Sequence, residues 1–127
     1  MKLSLAASKI EEQRKRINTI RDTKEVSPIS VTTSNGSFVI DCNEESKVRM
    51  QDTINIWPHL GVTEVPWTIA DNSVRPMDLA EVTEMLEDML LQRGIRALQL
   101  HQYATNLKNQ LPVSDNDPMF EESSWPV

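Results

Sequence analysis

Two histidines, one cysteine and a row of carboxylates are the residues of this chain that could do chemistry. His59 and His101 would have to act as general bases or metal ligands. They fall on different predicted elements, and neither has a neighbour three or four residues away that would make metal spacing. His59, after Trp57-Pro58, reads as a turn residue and His101 as a residue on a helix flank. Glu84, Glu87 and Asp88 sit one helical turn apart, but a carboxylate run on a helix reads as a solvated face. Cys42 is alone, which rules out an internal disulfide and a Cys-based zinc cluster. It falls on the apolar face of a predicted strand, as a buried thiol. There is no Gly-rich phosphate loop, no nucleophile-elbow serine and no His-Glu-x-x-His helix. With three glycines in all, phosphate-cradling loops are nearly excluded. These residues point away from an enzyme: no catalytic residue, no cofactor and no metal is expected.

The chain has 127 residues, the size of one domain, and is 39% hydrophobic and 25% charged. Only six residues are aromatic (three Trp, two Phe, one Tyr), so a small core with extended parts is expected. The net charge of −6 is adverse for nonspecific nucleic-acid binding, which needs Lys and Arg to displace phosphate counterions. The charge is uneven. Residues 1–25 carry seven basic and four acidic side chains, or +3, and the remainder carries six and fifteen, or −9. That split suits head-to-tail contacts between subunits, or simply solvated helix faces. No apolar run is long enough for a membrane span, and Lys9, Glu11, Glu12 and Gln13 make the start too polar for a signal peptide.

The elements that would position these groups centre on Val65 to Asp78. This stretch reads as a tight β-hairpin running into a helix cap. Asp71-Asn72 is the expected two-residue turn, because both residues tolerate positive φ and bond their own backbone. Ile69 then faces Val74, and Trp67 faces Pro76, with Thr68 and Arg75 on the other side. Asp78 followed by Glu81 is a capping box, so a helix begins at Leu79. It runs to about residue 110, with Leu79, Val82, Leu86 and Met89 as a stripe that Met85 and Leu90 broaden. Ala97, Leu100, Ala104, Leu107 and Leu111 continue that stripe past Gly94, which marks either a break or a close backbone approach. Acidic residues in the first half and basic ones in the second support one continuous helix. The distal half of so long a helix is a candidate for packing on another chain.

Residues 3–24 read as a helix in which Leu3, Ile10 and Ile17 fall seven apart, with Ala6, Gln13 and Ile20 interleaved. That pattern fits a short coiled coil, and equally an amphipathic helix on its own domain. Residues 28–42 read as a first hairpin around an Asn35-Gly36 type I′ turn, pairing Thr33 with Phe38, Val31 with Ile40, and Ile29 with Cys42. A shorter helix over about 44–57 follows, capped by Asn43 or Asp41 and ended by Pro58. Its Met50, Ile54 and Trp57 are a candidate lid for the hairpin. From Pro112 the chain turns acidic, with Met119, Phe120 and Trp125 as anchors for docking on a partner. A chain ended at Leu111 is therefore expected to fold.

The stretch Trp67-Thr68-Ile69-Ala70-Asp71-Asn72, with Pro76-Met77-Asp78-Leu79-Ala80-Glu81, resembles a domain of unknown function from bacteriophage tail proteins. That domain stands at the end of tail-fibre proteins or is encoded beside them. Tyr103, Leu107-Lys108 and Leu111 fit its closing helix, and Ile10 to Arg21 its basic first helix, so the resemblance spans roughly residues 10–111. Arg75, Gly94 and the acidic tail depart from the pattern. The resemblance implies a virion-tail protein made in the host cytoplasm, with no catalytic residues and no cofactor.

The expected fold is α+β: an N-terminal helix (1–25), then a small domain (26–111), then an extended acidic tail (112–127). The domain holds a β-hairpin, a short helix, a second β-hairpin and a long C-terminal helix, and the hairpins are candidates to join into one sheet. The first functional expectation is a structural component of a phage tail, at the tail fibre or baseplate, that joins other tail proteins. Its partner-binding residues would be Leu3, Ile10, Ile17, Met119, Phe120 and Trp125, and its structural motif Trp67, Asp71, Asn72, Met77 and Asp78. Partners would be other tail or tail-fibre proteins and further copies of the chain, with a trimer matching tail fibres; no nucleic acid and no membrane is expected. The alternative is a tail-fibre assembly chaperone absent from the mature virion. A third class, a small enzyme or host-binding lectin, would need Trp57 or Trp125 exposed beside carboxylates.

Overall fold

A computed structural model describes the backbone of residues 2–126 and the side chains of residues 5–126. The order of elements is that of the α+β expectation. Helix α1 (Lys2–Glu25) precedes strands β1 (Ile29–Thr33) and β2 (Gly36–Ile40), and helix α2 (Glu44–Leu60) follows. Then come β3 (Val65–Thr68), β4 (Val74–Met77) and helix α3 (Leu79–Lys108). Two single-turn 3₁₀ segments, Pro118–Phe120 and Glu122–Ser124, shape the tail. The chain divides into two compact units, residues 26–94 and residues 1–25 with 95–127. The expected three-part division at residues 25 and 111 is thus replaced, because α1 and the tail belong to one unit.

In the unit of residues 26–94, each hairpin is its own two-stranded antiparallel sheet, so the single joined sheet does not form. The first hairpin pairs Ile29 with Ile40, Val31 with Phe38 and Thr33 with Gly36. Its turn is therefore Ser34-Asn35, and only Gly36 has positive φ (126°), not the Asn35-Gly36 turn expected. The register differs from the expected one by two residues. A slip of two leaves every side chain on its original face. Ile29, Val31, Phe38, Ile40 and Cys42 accordingly all reach the core. The Cys42 thiol is buried and donates to the Ser27 carbonyl at 3.0 Å.

The second hairpin differs by one residue, which does change faces. Trp67 pairs with Arg75 and Thr68 with Val74. Ile69 N–H donates to the Ser73 carbonyl and Asn72 N–H to the Ile69 carbonyl, both at 2.9 Å, around a three-residue loop. Asn72 sits at φ 68°, the left-handed residue that closes this loop type. The Asp71 carboxylate accepts from Ser73 N–H at 2.9 Å. Arg75 and Met77 therefore turn inward, while Val74 is 58% exposed and Pro76 is exposed. Pro66 and Pro76 face each other across the ribbon. The bonded Ile69–Ser73 pair sets the alternation, so at this pair a main-chain N–H would point away from the ribbon. Proline there loses no ladder bond and blunts both edges.

Helix α2 begins at Asn43, whose side chain accepts from Ser46 N–H at 2.9 Å. It continues through Pro58 to Leu60 and stops at Gly61, which is left-handed at φ 65°. Pro58 does not end the helix, and His59 lies in its last turn instead of a loop. Met50 of α2, with Val82, Met85 and Met89 of α3, closes the core over the hairpins, and Ile54, Trp57 and Leu86 pack on its margin. Leu79 and Leu90 of the expected stripe are exposed. Each fully buried side chain of this kind stabilises by about 1.5–3 kcal/mol.

In the other unit, Ile17 and Ile20 of α1 meet Leu100, Ala104 and Leu107 of α3 and Met119 and Trp125 of the tail in one buried cluster. This corrects two expectations. The distal half of α3 is covered by its own chain, and the tail is a folded part of that chain. Gln13, 1% exposed, ties α1 to the tail. Its side-chain amide donates to the Val113 carbonyl at 2.7 Å and accepts from Val113 N–H at 3.1 Å. A chain ended at Leu111 would leave these groups without their partners, so the expectation that it folds is withdrawn. Gly94 neither breaks α3 nor receives a backbone: a Cβ there would meet nothing within 4 Å.

Candidate binding groove

Three carboxylates of α3, those of Glu81, Glu84 and Asp88, bind the first hairpin, while Glu87 is exposed as a solvated face would have it. The Glu81 carboxylate, 3% exposed, accepts from the Thr33 hydroxyl at 3.0 Å and stands 3.7 Å from the Arg75 guanidinium. Glu84 accepts from both the N–H and the hydroxyl of Ser34, each at 2.7 Å. Asp88 accepts from Thr32 N–H at 2.7 Å. Residues 81, 84 and 88 share one helix face. They satisfy donors on the open side of β1 and its turn, where no strand pairs. On the opposite edge, Ala70 N–H donates to the Val39 carbonyl at 3.0 Å. The Ser34 amide, and then its hydroxyl, hold the Glu84 carboxyl below the usual glutamate range. The Asp71 carboxyl is likewise lowered by Ser73.

Glu81 is thus drawn away from the reciprocal half of the capping box. Only the forward half forms, with the Asp78 carboxylate accepting from Glu81 N–H at 2.8 Å. The other motif residues are placed as structural ones: Trp67 and Met77 in the core, Asp71 and Asn72 at the turn. Arg75, the departure from the family pattern, lies 4.2 Å over the Phe38 ring while facing Glu81.

The six side chains expected to bind a partner are mostly engaged within the chain. Ile17, Met119 and Trp125 are buried against their own unit. Trp125 Nε1 donates to the Met119 carbonyl at 2.8 Å, and its ring lies 5.0 Å from that of Tyr103. Phe120 is half-buried under the Arg16 guanidinium at 3.8 Å, and Ile10 is half-buried. The Leu3 side chain lies outside the described residues. His101 Nε2 stands 2.6 Å from Glu25 Oε1, joining the end of α1 to α3. Neither tryptophan that a lectin would need is free, since Trp57 packs on one core and Trp125 lies inside the other.

One open groove lies between α2 and β3. Its floor is Trp67, and Thr53, Ile56 and Leu60 face Val65 and Pro66 across about 340 Å³. Ile56 is 49% and Leu60 38% exposed, and Val62 beyond the helix end is also exposed. Residues 53, 56 and 60 lie on a face of α2 that flanks the inward Met50, Ile54 and Trp57. Apolar periodicity along α2 points to the inward face, and the signal for this one is Ile56 and Leu60, apolar residues beside that face that the core leaves exposed. Among the described residues no cluster of His, Cys, Asp or Glu could hold a metal ion, and no helix is long and apolar enough to cross a membrane.

The fold and groove define a small α+β protein with two cores, each built around one half of a long helix, and an apolar cleft beside the second hairpin. Residues 8–122 match a family described as a domain of unknown function, DUF4376, and the chain belongs to that family. Comparison with curated proteins and with solved structures finds no match.

Proposed function

We propose that this chain is a structural component of a bacteriophage tail, at the tail fibre or baseplate, where it joins other tail proteins. The observation that carries the reading is the exposed apolar groove beside Trp67. Its wall is the same Trp-x-x-Ala-Asp-Asn hairpin that carries the resemblance to tail-associated domains. Isolated exposed apolar side chains are ordinary, but Ile56 and Leu60 border one concave site with Val65, Pro66 and Trp67. Such a site suits the buried centre of a protein–protein contact. Glu81, Glu84 and Asp88, carboxylates that could have done acid–base work, instead bond the hairpin, which supports a role in shape and assembly over one in chemistry.

Cross-linking mass spectrometry on purified virions of the encoding phage tests this reading. Links from Lys47, at the start of α2, to other tail proteins are the expected result. Links confined to fibre protein in infected lysates, with none in virions, would replace it by a chaperone that leaves before maturation.

A further inference from the structure

We propose that the α2–β3 groove seats the first turns of α1 from a second copy of the chain, a contact that rests on the assembly role above. The groove needs an apolar occupant of positive charge. Ile56, Leu60, Val65, Pro66 and Trp67 supply its apolar surface, with Thr53 and Thr68 between them. Exposed Asp52 and Glu64 adjoin lining residues in sequence, and exposed Glu45 pairs with the lining Arg49. The one cation among the lining residues, Arg49, already faces Glu45 at 3.3 Å. The start of α1 has the complementary character. Leu5 is the most exposed large apolar side chain described, at 72%, and Ala6 and Ala7 beside it are exposed. Lys9 lies one turn beyond Leu5 on the same side of the helix. Leu5 would enter the groove over Trp67, and Lys9 would meet the acidic rim. The wider charge follows the same division, +3 over residues 1–25 against −9 over the remainder.

Plug and socket are different surfaces of one chain, so the contact is heterologous. A copy that inserts its α1 still offers an empty groove, and association continues into rings or open chains unless something caps it. Such a head-to-tail contact repeats without a two-fold dimer.

Sedimentation velocity of the full chain, from about 1 to about 300 µM, tests the proposal. The average mass should rise with concentration, and added salt should weaken the rise. Ile56→Glu and Leu5→Glu should each weaken self-association at least about tenfold, or about 1.4 kcal/mol. Both side chains are exposed, so far-UV circular dichroism should be unchanged. An equimolar mixture of the two variants should form a one-to-one dimer and nothing larger, because one retains only the plug and the other only the socket. The double charge reversal Asp52→Lys with Glu64→Lys, which touches neither core, should weaken association as well. A monomer throughout the range, an association that survives either Glu variant, or a mixture that behaves as its two separate components would each overturn the proposal. Copies of the protein in virions would still be countable, so this failure is distinct from failure of the tail assignment.

Discussion

Replacing Trp125 with alanine should cost the α1–tail unit about 4 kcal/mol. Trp125 is 5% exposed and closes a cluster with Ile17, Leu100, Ala104 and Met119. Truncating a buried aromatic costs about 3–5 kcal/mol through lost burial and the cavity left behind. Two local contacts go with it. The tilted Tyr103 pair contributes about 0.5–1.5 kcal/mol. The Met119 carbonyl loses its indole donor, at up to about 1–3 kcal/mol if no water replaces it. These terms overlap and the chain end can relax, so the middle of the truncation range is the expected value. That is a large part of the roughly 5–15 kcal/mol by which a whole domain is stable. Urea denaturation is the assay. Far-UV circular dichroism follows all the helices, whereas once Trp125 is gone the emission of Trp57 and Trp67 reports the unit of residues 26–94. The variant should lower the transition of the α1–tail unit and leave the tryptophan transition near that of a Trp125→Phe reference. A loss below about 1 kcal/mol would mean that the tail is a surface strap and not a wall of the core.

Three further outcomes follow from the same contacts. Glu84→Gln should reduce acid sensitivity. A carboxyl held below its ordinary value stabilises fully above the unfolded glutamate range and loses that contribution as pH falls through the lowered value. The stability difference between wild type and variant should therefore shrink below about pH 4, near the unperturbed glutamate value, as followed by urea titrations across the acid range. Arg75→Met should cost about 1–3 kcal/mol in the unit of residues 26–94, less than a fully buried pair because Arg75 is partly exposed. Its readout is the tryptophan emission transition in a Trp125→Phe background, and an unchanged midpoint would mean that Thr33 alone satisfies Glu81. Gly94→Ala should raise stability by about 1 kcal/mol, since a Cβ there meets nothing and the helix gains propensity. Destabilisation by thermal melting would show that this position needs glycine for a reason other than space.

The elements were legible because their signals are local. Caps at Asn43 and Asp78, apolar periodicity and turn residues placed every helix and both hairpins to within a few residues. The first hairpin kept its faces despite a wrong turn, since an even slip preserves alternation. The second lost them to an odd slip. Asp71-Asn72 was read as the whole turn, while the backbone uses a three-residue loop with only Asn72 left-handed. Arg75 is why the pattern misled: a guanidinium over Phe38 and against Glu81 fills an inward position that hydropathy assigns to Val74. The tail was misplaced for another reason. Met119 and Trp125 do mark a binding segment, but sequence cannot say whether the surface they bind belongs to the same chain. Here it is α1 and α3, held by Gln13 across 100 positions of sequence. The groove is not legible from periodicity because Ile56 and Leu60, though strongly apolar, share a helix with the inward Met50, Ile54 and Trp57, and sequence alone does not say that they stay uncovered.

The central claim, a built-in part of a phage tail, is tested most directly by counting the protein in purified infectious virions with isotope-labelled peptide standards. A fixed number of copies per particle, in a multiple of three or six, is the expected result and matches the symmetry of tails. Absence from virions, with the protein recovered from infected lysate on fibre protein, would contradict it.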